Sequence, residues 1–205
     1  MTDNSVRQVA LSELQERMQA CRQCQEAGFP VTSSAVFSGC QSAKIMIVGQ
    51  APGISEQETG RPFNGPSGTR LFDWLSQAGL DEASFRALQY MTAVTKCYPG
   101  RSPSGKGDRA PSRAEQKLCA GFLEQEVALV QPEILIPVGS MAVRTFMGSV
   151  RLADVVGNIF PQQNRFIVPL PHPSGVNLWL NRSDNQERVT RALQGLRELR
   201  QRREL

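Results

Sequence analysis

A chain of 205 residues, 40% hydrophobic and 20% charged, is long enough for one sizeable core and too short for two large ones. No run approaches the roughly 20 apolar residues of a membrane span, and the N-terminal MTDNSVRQVALSELQERM carries charge where a secretory leader needs an apolar block, so a single cytoplasmic, monomeric domain over 1–205 is expected. A net charge of +4 and a pI near 9.0 permit a nucleic-acid partner without requiring one, and five cysteines in that compartment argue against a disulfide framework.

From Val9 to Ala20, apolar Val9, Leu11, Leu14 and Met18 among mixed charges predict a short amphipathic helix leading into CRQC, Cys21 to Cys24. Residues 27–43 are small and polar and read as loop. Ile45 to Val48 read as a buried strand, which breaks at Gly49 into a loop punctuated by Pro52, Gly53, Gly60, Pro62, Gly65, Pro66 and Gly68. The rest of the chain is expected to hold this stretch. A glycine-rich loop after a strand stands at the carboxyl edge of a sheet, where open α/β sheets bind ligands. Backbone N–H groups there can approach a phosphate or a base edge. Phe63, caged between turn residues, reads either as a plug under the loop or as a stacking platform for a flat ligand.

Ser67 or Thr69 can cap a helix through Leu71, Phe72, Trp74, Leu75 and Ala78, stopped by Gly79. A second helix covers about Asp81 to Leu88, and YMTAVT, Tyr90 to Thr95, is strand-prone. Residues 98–111, YPGRSPSGKGDRAP, are too dense in Gly, Pro and Ser for regular structure. Ser112 and Glu115 have the spacing of a capping box before a long helix that ends near Pro132. Ile134 to Val138 is the next strand, followed by a helix to about Met147. Phe166 to Leu170 is the last strand, and 185–202 form an amphipathic helix with Val189, Leu193, Leu196 and Leu199 on one side. Alternating strands and helices imply an α/β fold with three α/β/α layers around a central, mainly parallel four-stranded sheet.

Chemistry-bearing residues gather at the strand ends. Cys21 and Cys24, with Cys97 and Cys119 downstream, can complete a four-thiolate site, although C-x-x-C also occurs in redox and zinc motifs. Cys40 stands alone. His172, the one histidine, follows an apolar strand between two prolines and can donate to an oxygen that gains charge as a bond breaks. Arg101, Lys106, Arg109 and Arg113 face a single acid, Asp108, in one loop, which reads equally as solvated or phosphate-facing.

GQAPG (Gly49 to Gly53), GRPF (Gly60 to Phe63), TAVTKC (Thr92 to Cys97) and HPS (His172 to Ser174) resemble the uracil-DNA glycosylase superfamily, most nearly its iron–sulfur branches, families 4 and 5. The resemblance implies one [4Fe–4S] cluster on Cys21, Cys24, Cys97 and Cys119, with Cys40 a free thiol. It implies hydrolysis of the N-glycosidic bond to a damaged base that is flipped out of DNA into a pocket. Phe63 would stack on the base, Gly49, Ala51 and Gly53 would contact its edge beside Ala93, and His172 would stabilise the leaving base, with Gln50 and Asn177 in the catalytic motifs. Leu178 and Trp179 are candidates for a wedge or for core.

The chain also departs from the family pattern. Family 4 carries glutamate where this chain has Gln50, which cannot act as a base, and asparagine where it has Ala93. Alanine at 93 and the spacing from His172 to Asn177 resemble family 5, whose members accept more bases. Glu56 and Glu58 are candidate water partners. The histidine-bearing basic insertion with which one branch captures uracil covalently is absent. The expected function is excision of uracil or another deaminated base, the alternative a protein that binds the damaged base without cleaving it.

Overall fold

The computed structural model describes residues 3–205 with the exception of Lys106, so that part of the expected basic loop lies outside the described residues. The chain opens with α1 (Asp3–Ala20) and the single turn α2 (Gln23–Glu26), then enters β1 (Ile45–Gly49). Helices α3 (Ile54–Thr59), α4 (Pro66–Gln77) and α5 (Glu82–Leu88) lead to β2 (Tyr90–Ala93). The long α6 (Arg113–Val130) precedes β3 (Ile134–Pro137), α7 (Ser140–Met147) and α8 (Leu152–Val155). A hairpin of β4 (Phe160–Gln162) and β5 (Arg165–Ile167) is followed by a 3-10 turn, Leu178–Asn181, and by α9 (Ser183–Arg203). None of these helices is long and apolar enough to cross a membrane.

The strand order is β2-β1-β3-β5-β4, parallel except for the edge strand β4. Alternation along the strands sorts the core into two layers. Ile45, Ile47, Ile134 and Ile136 face Leu71, Phe72 and Leu75 of α4, Phe85 of α5 and Val189, Leu193 and Leu196 of α9. Met46, Val48 and Leu135 face Leu11, Leu14 and Met18 of α1 and Leu123 and Val130 of α6. This is the three-layer α/β/α arrangement expected from the alternating elements.

The sheet has five strands, not four. Phe160–Gln162 was not legible because three residues with Pro161 in the middle carry no readable period of two. At an edge the missing proline N–H costs no ladder bond, and Gln163 turns the hairpin at φ +52°. The last parallel strand is also shorter than expected, ending at Ile167, with an isolated bridge from Val138 to Leu170 beyond it. β2 ends at Ala93, although Val94 N and Thr95 N still donate to the carbonyls of Gly49 and Gln50. Helix α4 starts at Pro66, earlier than a Ser67 or Thr69 cap would give, because proline at the first helical position needs no N–H. Ser112 and Glu115 form the expected capping box of α6 at 3.3 and 2.8 Å. Gly79 ends α4 at φ +76°.

Reversal of strand direction of travel around β1 creates a crevice beyond the carboxyl ends of β1, β2 and β3. The loops that follow these strands all meet there.

Candidate functional site

A cavity of about 290 Å³ opens in that crevice. Gly49, Gln50, Ala51 and Gly53 line it from the loop after β1, Phe63 from the loop before α4, Ala93 from the end of β2 and His172 from the turn after β5. Three strand ends and the loop before α4 thus bring together residues as distant in sequence as Gly49 and His172. Asn177 does not line the cavity. Its Nδ2 donates to the His172 carbonyl at 2.7 Å and its Oδ1 accepts from Trp179 N at 3.2 Å, so it shapes the turn that carries the histidine.

Phe63 is held in a left-handed conformation, φ +53°, that costs an L-residue on the order of 1 kcal/mol or more. Three contacts impose it. Its N–H donates to Glu56 Oε1, its carbonyl accepts from Arg86 Nη2 at 2.9 Å, and α4 presses Gly68 against that carbonyl so closely that a Cβ there would stand 1.9 Å from the oxygen. Arg86 Nη1 also holds the Pro62 carbonyl at 2.8 Å, and the guanidinium lies over the Phe72 ring. The edge of the Phe63 ring rests on Gly49, where a Cβ would meet Cζ at 3.1 Å. Glycine at 49 leaves room for that ring edge at the end of β1.

Glu56, considered above as a water partner, is instead part of this clamp. Its second oxygen accepts from Gly53 N at 2.5 Å, so both oxygens serve backbone N–H groups, while burial raises its pKa. Glu58 is exposed and lies outside the cavity. Among the described residues no hydrogen bond engages the Gln50 side-chain amide.

The His172 ring is open to solvent on one side and crowded by protein on the other, with Gly139 (φ +87°) passing so close that a Cβ would be 3.4 Å from it. This crowding lowers its pKa, so the ring is neutral at physiological pH. Ser174 N donates to Nδ1 at 3.2 Å, which assigns the ring proton to Nε2 and makes it a neutral donor. In the following turn Val176 is 87% and Leu178 77% exposed, whereas Trp179 packs against the core. The two wedge candidates therefore separate, and Leu178 is the one that projects.

A second cavity lies beside the first. Cys21, Cys24, Cys97 and Cys119 all line it, together with Lys96 and Glu115. Cys21 follows α1, Cys24 sits in α2, Cys97 follows β2 and Cys119 lies on α6. Burial and then the sulfurs of Cys119, Cys21 and Cys24 push the Cys97 thiol up to about 12. Burial pushes Cys119 up to about 11, with Lys96 pulling the other way. Among the described residues no group of three or more His, Cys, Asp or Glu closes on a single ion. Four cysteines on one cavity are a donor set that could hold either an iron–sulfur cluster or one tetrahedral ion.

Lys96, overlooked in the sequence although it stands between Ala93 and Cys97, ties the two cavities together. It is 2% exposed, and its Nζ meets Glu126 at 2.5 Å, Thr92 Oγ1 at 2.9 Å and the Ala93 carbonyl at 2.5 Å. Glu126 is fully buried and also accepts from Tyr90 Oη and Thr92 Oγ1. The backbone N–H of Lys96 approaches Cys119 Sγ at 3.3 Å. The basic loop is partly internal too. Arg109 pairs both nitrogens with Glu115 at 2.6 and 2.7 Å, holding that carboxyl down at about 2, while Arg101 and Arg113 are exposed.

The profile of a family described as the uracil DNA glycosylase superfamily matches residues 37–197. A type-4 uracil-DNA glycosylase of Thermotoga maritima is 30% identical over 186 residues, 89% of this chain and 90% of its own length. One of Pyrobaculum aerophilum is 31% identical over 150 residues, 73% of this chain and 71% of that protein. A type-5 uracil-DNA glycosylase of the same organism is 26% identical over 154 residues, 68% of this chain and 65% of its own.

Proposed function

The chain belongs to the uracil-DNA glycosylase superfamily, and from that premise we propose that it is a monofunctional DNA glycosylase. It hydrolyses the N-glycosidic bond of uracil or another deaminated base and leaves an abasic site. The observation that carries this reading is the neutral His172 donor on the rim of a cavity that also holds a clamped aromatic ring.

The base leaves the stack and enters the cavity, and the exposed Leu178 is placed to fill the space it vacates. The Phe63 ring offers it a face, and because that residue is held through its backbone at both N–H and carbonyl, the platform is set before the base arrives. As the bond to C1′ lengthens, negative charge moves onto the base, and Nε2–H of His172 donates to it. Ala93 supplies no amide to read a pyrimidine edge, so selection rests on stacking and on the loop at Gly49 to Gly53, and more than one deaminated base is accepted. Cys21, Cys24, Cys97 and Cys119 would hold a [4Fe–4S] cluster, which would supply a cross-link among α1, α2, the end of β2 and α6 rather than chemistry at the sugar.

The test is incubation with oligonucleotides carrying uracil, hypoxanthine, xanthine or ethenocytosine, followed by alkaline scission. His172→Ala should lower excision by roughly 10²-fold or more, the scale of losing one donor to a developing anion, with DNA affinity little changed. Binding of damaged DNA without any abasic product would instead support the non-cleaving alternative.

A further inference from the structure

Attack of water on C1′ releases a proton, and the groups nearest to hand are an amide or are already engaged by backbone N–H groups. Residue 50 is an amide, both oxygens of Glu56 are occupied by backbone N–H groups, and Nδ1 of His172 is occupied by Ser174 N. Among the described residues lining the cavity, one further carboxylate remains, that of Asp108 from the loop between β2 and α6. Tyr98 Oη donates to its Oδ1 at 2.8 Å. Its Oδ2 faces the Gly53 edge of the cavity, 3.1 Å from where a Cβ on that glycine would stand. Tyr98 is itself fixed, 8% exposed and with its N–H on Ser33 Oγ at 2.9 Å. The loop closes on itself as well: Arg101 bridges to Asp108, and the N–H of Arg109 reaches the Gly100 carbonyl at 3.0 Å.

We propose that Asp108 is the general base of the excision reaction, an assignment that rests on the glycosylase reading above. Tyr98 holds one carboxylate oxygen, which leaves Oδ2 to orient the water and accept its proton. The water oxygen bonds to C1′ and the C1′–N bond breaks. Its electron pair leaves with the base as an anion, which Nε2–H of His172 stabilises; the anion then takes a proton from solvent, Asp108 gives its proton up to solvent, and the products are the C1′ hydroxyl and the free base. A carboxylate from a separate loop, the one between β2 and α6, thus replaces the one that position 50 lacks.

The experiment is single-turnover excision of uracil from a single-stranded oligonucleotide by the full chain carrying Asp108→Asn, an isosteric change that keeps an acceptor for Tyr98. The expected result is a loss of about 10²- to 10⁴-fold, the range for a positioned general base, with oligonucleotide affinity and melting temperature unchanged. In Asp108→Ala, added formate should restore part of the rate, which a merely structural role would not allow. A rate for Asp108→Asn within threefold of wild type, alongside a wild type that excises uracil and a His172→Ala that does not, overturns the assignment and leaves the glycosylase reading intact. So does loss of oligonucleotide binding in Asp108→Ala with no rescue by formate. A wild type that excises no base brings down both readings at once.

Discussion

The two cavities share one short stretch of chain, Thr92 to Cys97, and are built in opposite ways. Thr92 and Ala93 line the first, and Thr95, Lys96 and Cys97 line the second. The first is shaped from backbone: peptide groups of Gly53, Pro62 and Phe63, held by Glu56 and Arg86. The second is shaped from side chains, with four sulfurs from separate segments and a buried cation between the two sites. A backbone cradle braced by its own side chains is complete without a cofactor. Buried thiols such as Cys97, raised first by burial and then by neighbouring sulfurs, ionise readily only where positive charge is bound among them, so the second cavity would gain its cohesion from what it binds.

The largest effect that sharpens this contrast is removal of one sulfur. If the four cysteines hold the proposed cluster, Cys97→Ser should abolish its iron and its visible absorbance, and amide exchange should speed up in α1 and α2 while the Phe63 loop stays protected. Cys40→Ser, whose thiol lies off the cavity, should keep full iron content. Equal loss of protection around Phe63 would break the contrast, because the cradle would then depend on the metal.

Next in size is the link between the two regions. Lys96→Met leaves Glu126 fully buried without its cation, which should cost about 3–5 kcal/mol in urea unfolding. The pair Lys96→Met with Glu126→Leu should recover most of that, since an apolar pair needs no charge compensation. A single variant as stable as wild type would mean that the two cavities are independent.

Glu56→Gln is smaller. One acceptor becomes a donor facing a backbone N–H, so stability should fall by about 1–3 kcal/mol and Phe63 should lose its left-handed geometry. Excision should weaken while iron content holds. Iron loss in this variant would show that the clamp supports both sites.

The smallest effect concerns His172, whose resonances need no assignment because the chain has one histidine. Crowding favours the neutral ring, so the NMR titration midpoint should lie below the ordinary 6.5. A depressed pKa means that the unfolded chain binds the proton first as pH falls. Its contribution to stability is therefore present above about 6.5 and is lost as pH drops through 6.5 towards the lower folded value. A midpoint at or above 6.5 would place a negative charge beside the ring.

How much of this was legible differs between the two regions for a physical reason. Apolar runs, glycine stops and the Ser112–Glu115 capping box are local signals, so β1, β3, α4, α6 and α9 could be read directly, whereas the three-residue β4 with its edge proline could not. The loop residues Gly49 to Gly53, Phe63 and His172 could be singled out because glycine, proline and a lone histidine are conspicuous at strand ends. Their convergence on one cavity, and that of four cysteines on another, belongs to the crossovers of a parallel sheet, which put distant strand ends side by side.

Charged side chains were the hardest to interpret from sequence alone. Glu56, Arg86, Lys96, Arg109 and Asp108 look like ordinary surface charges, because nothing in residue type or spacing says whether a carboxylate meets water, a backbone N–H or an ammonium. Tertiary structure decided that Glu56 braces the backbone, that Lys96 is buried against Glu126, and that Asp108 faces the cavity. The sequence by itself determined which strands form and which loops follow them, since burial of apolar side chains is a local pattern with a period. Only the packed fold decided what each charge does, because Coulomb and hydrogen-bond partners are chosen by distance in space.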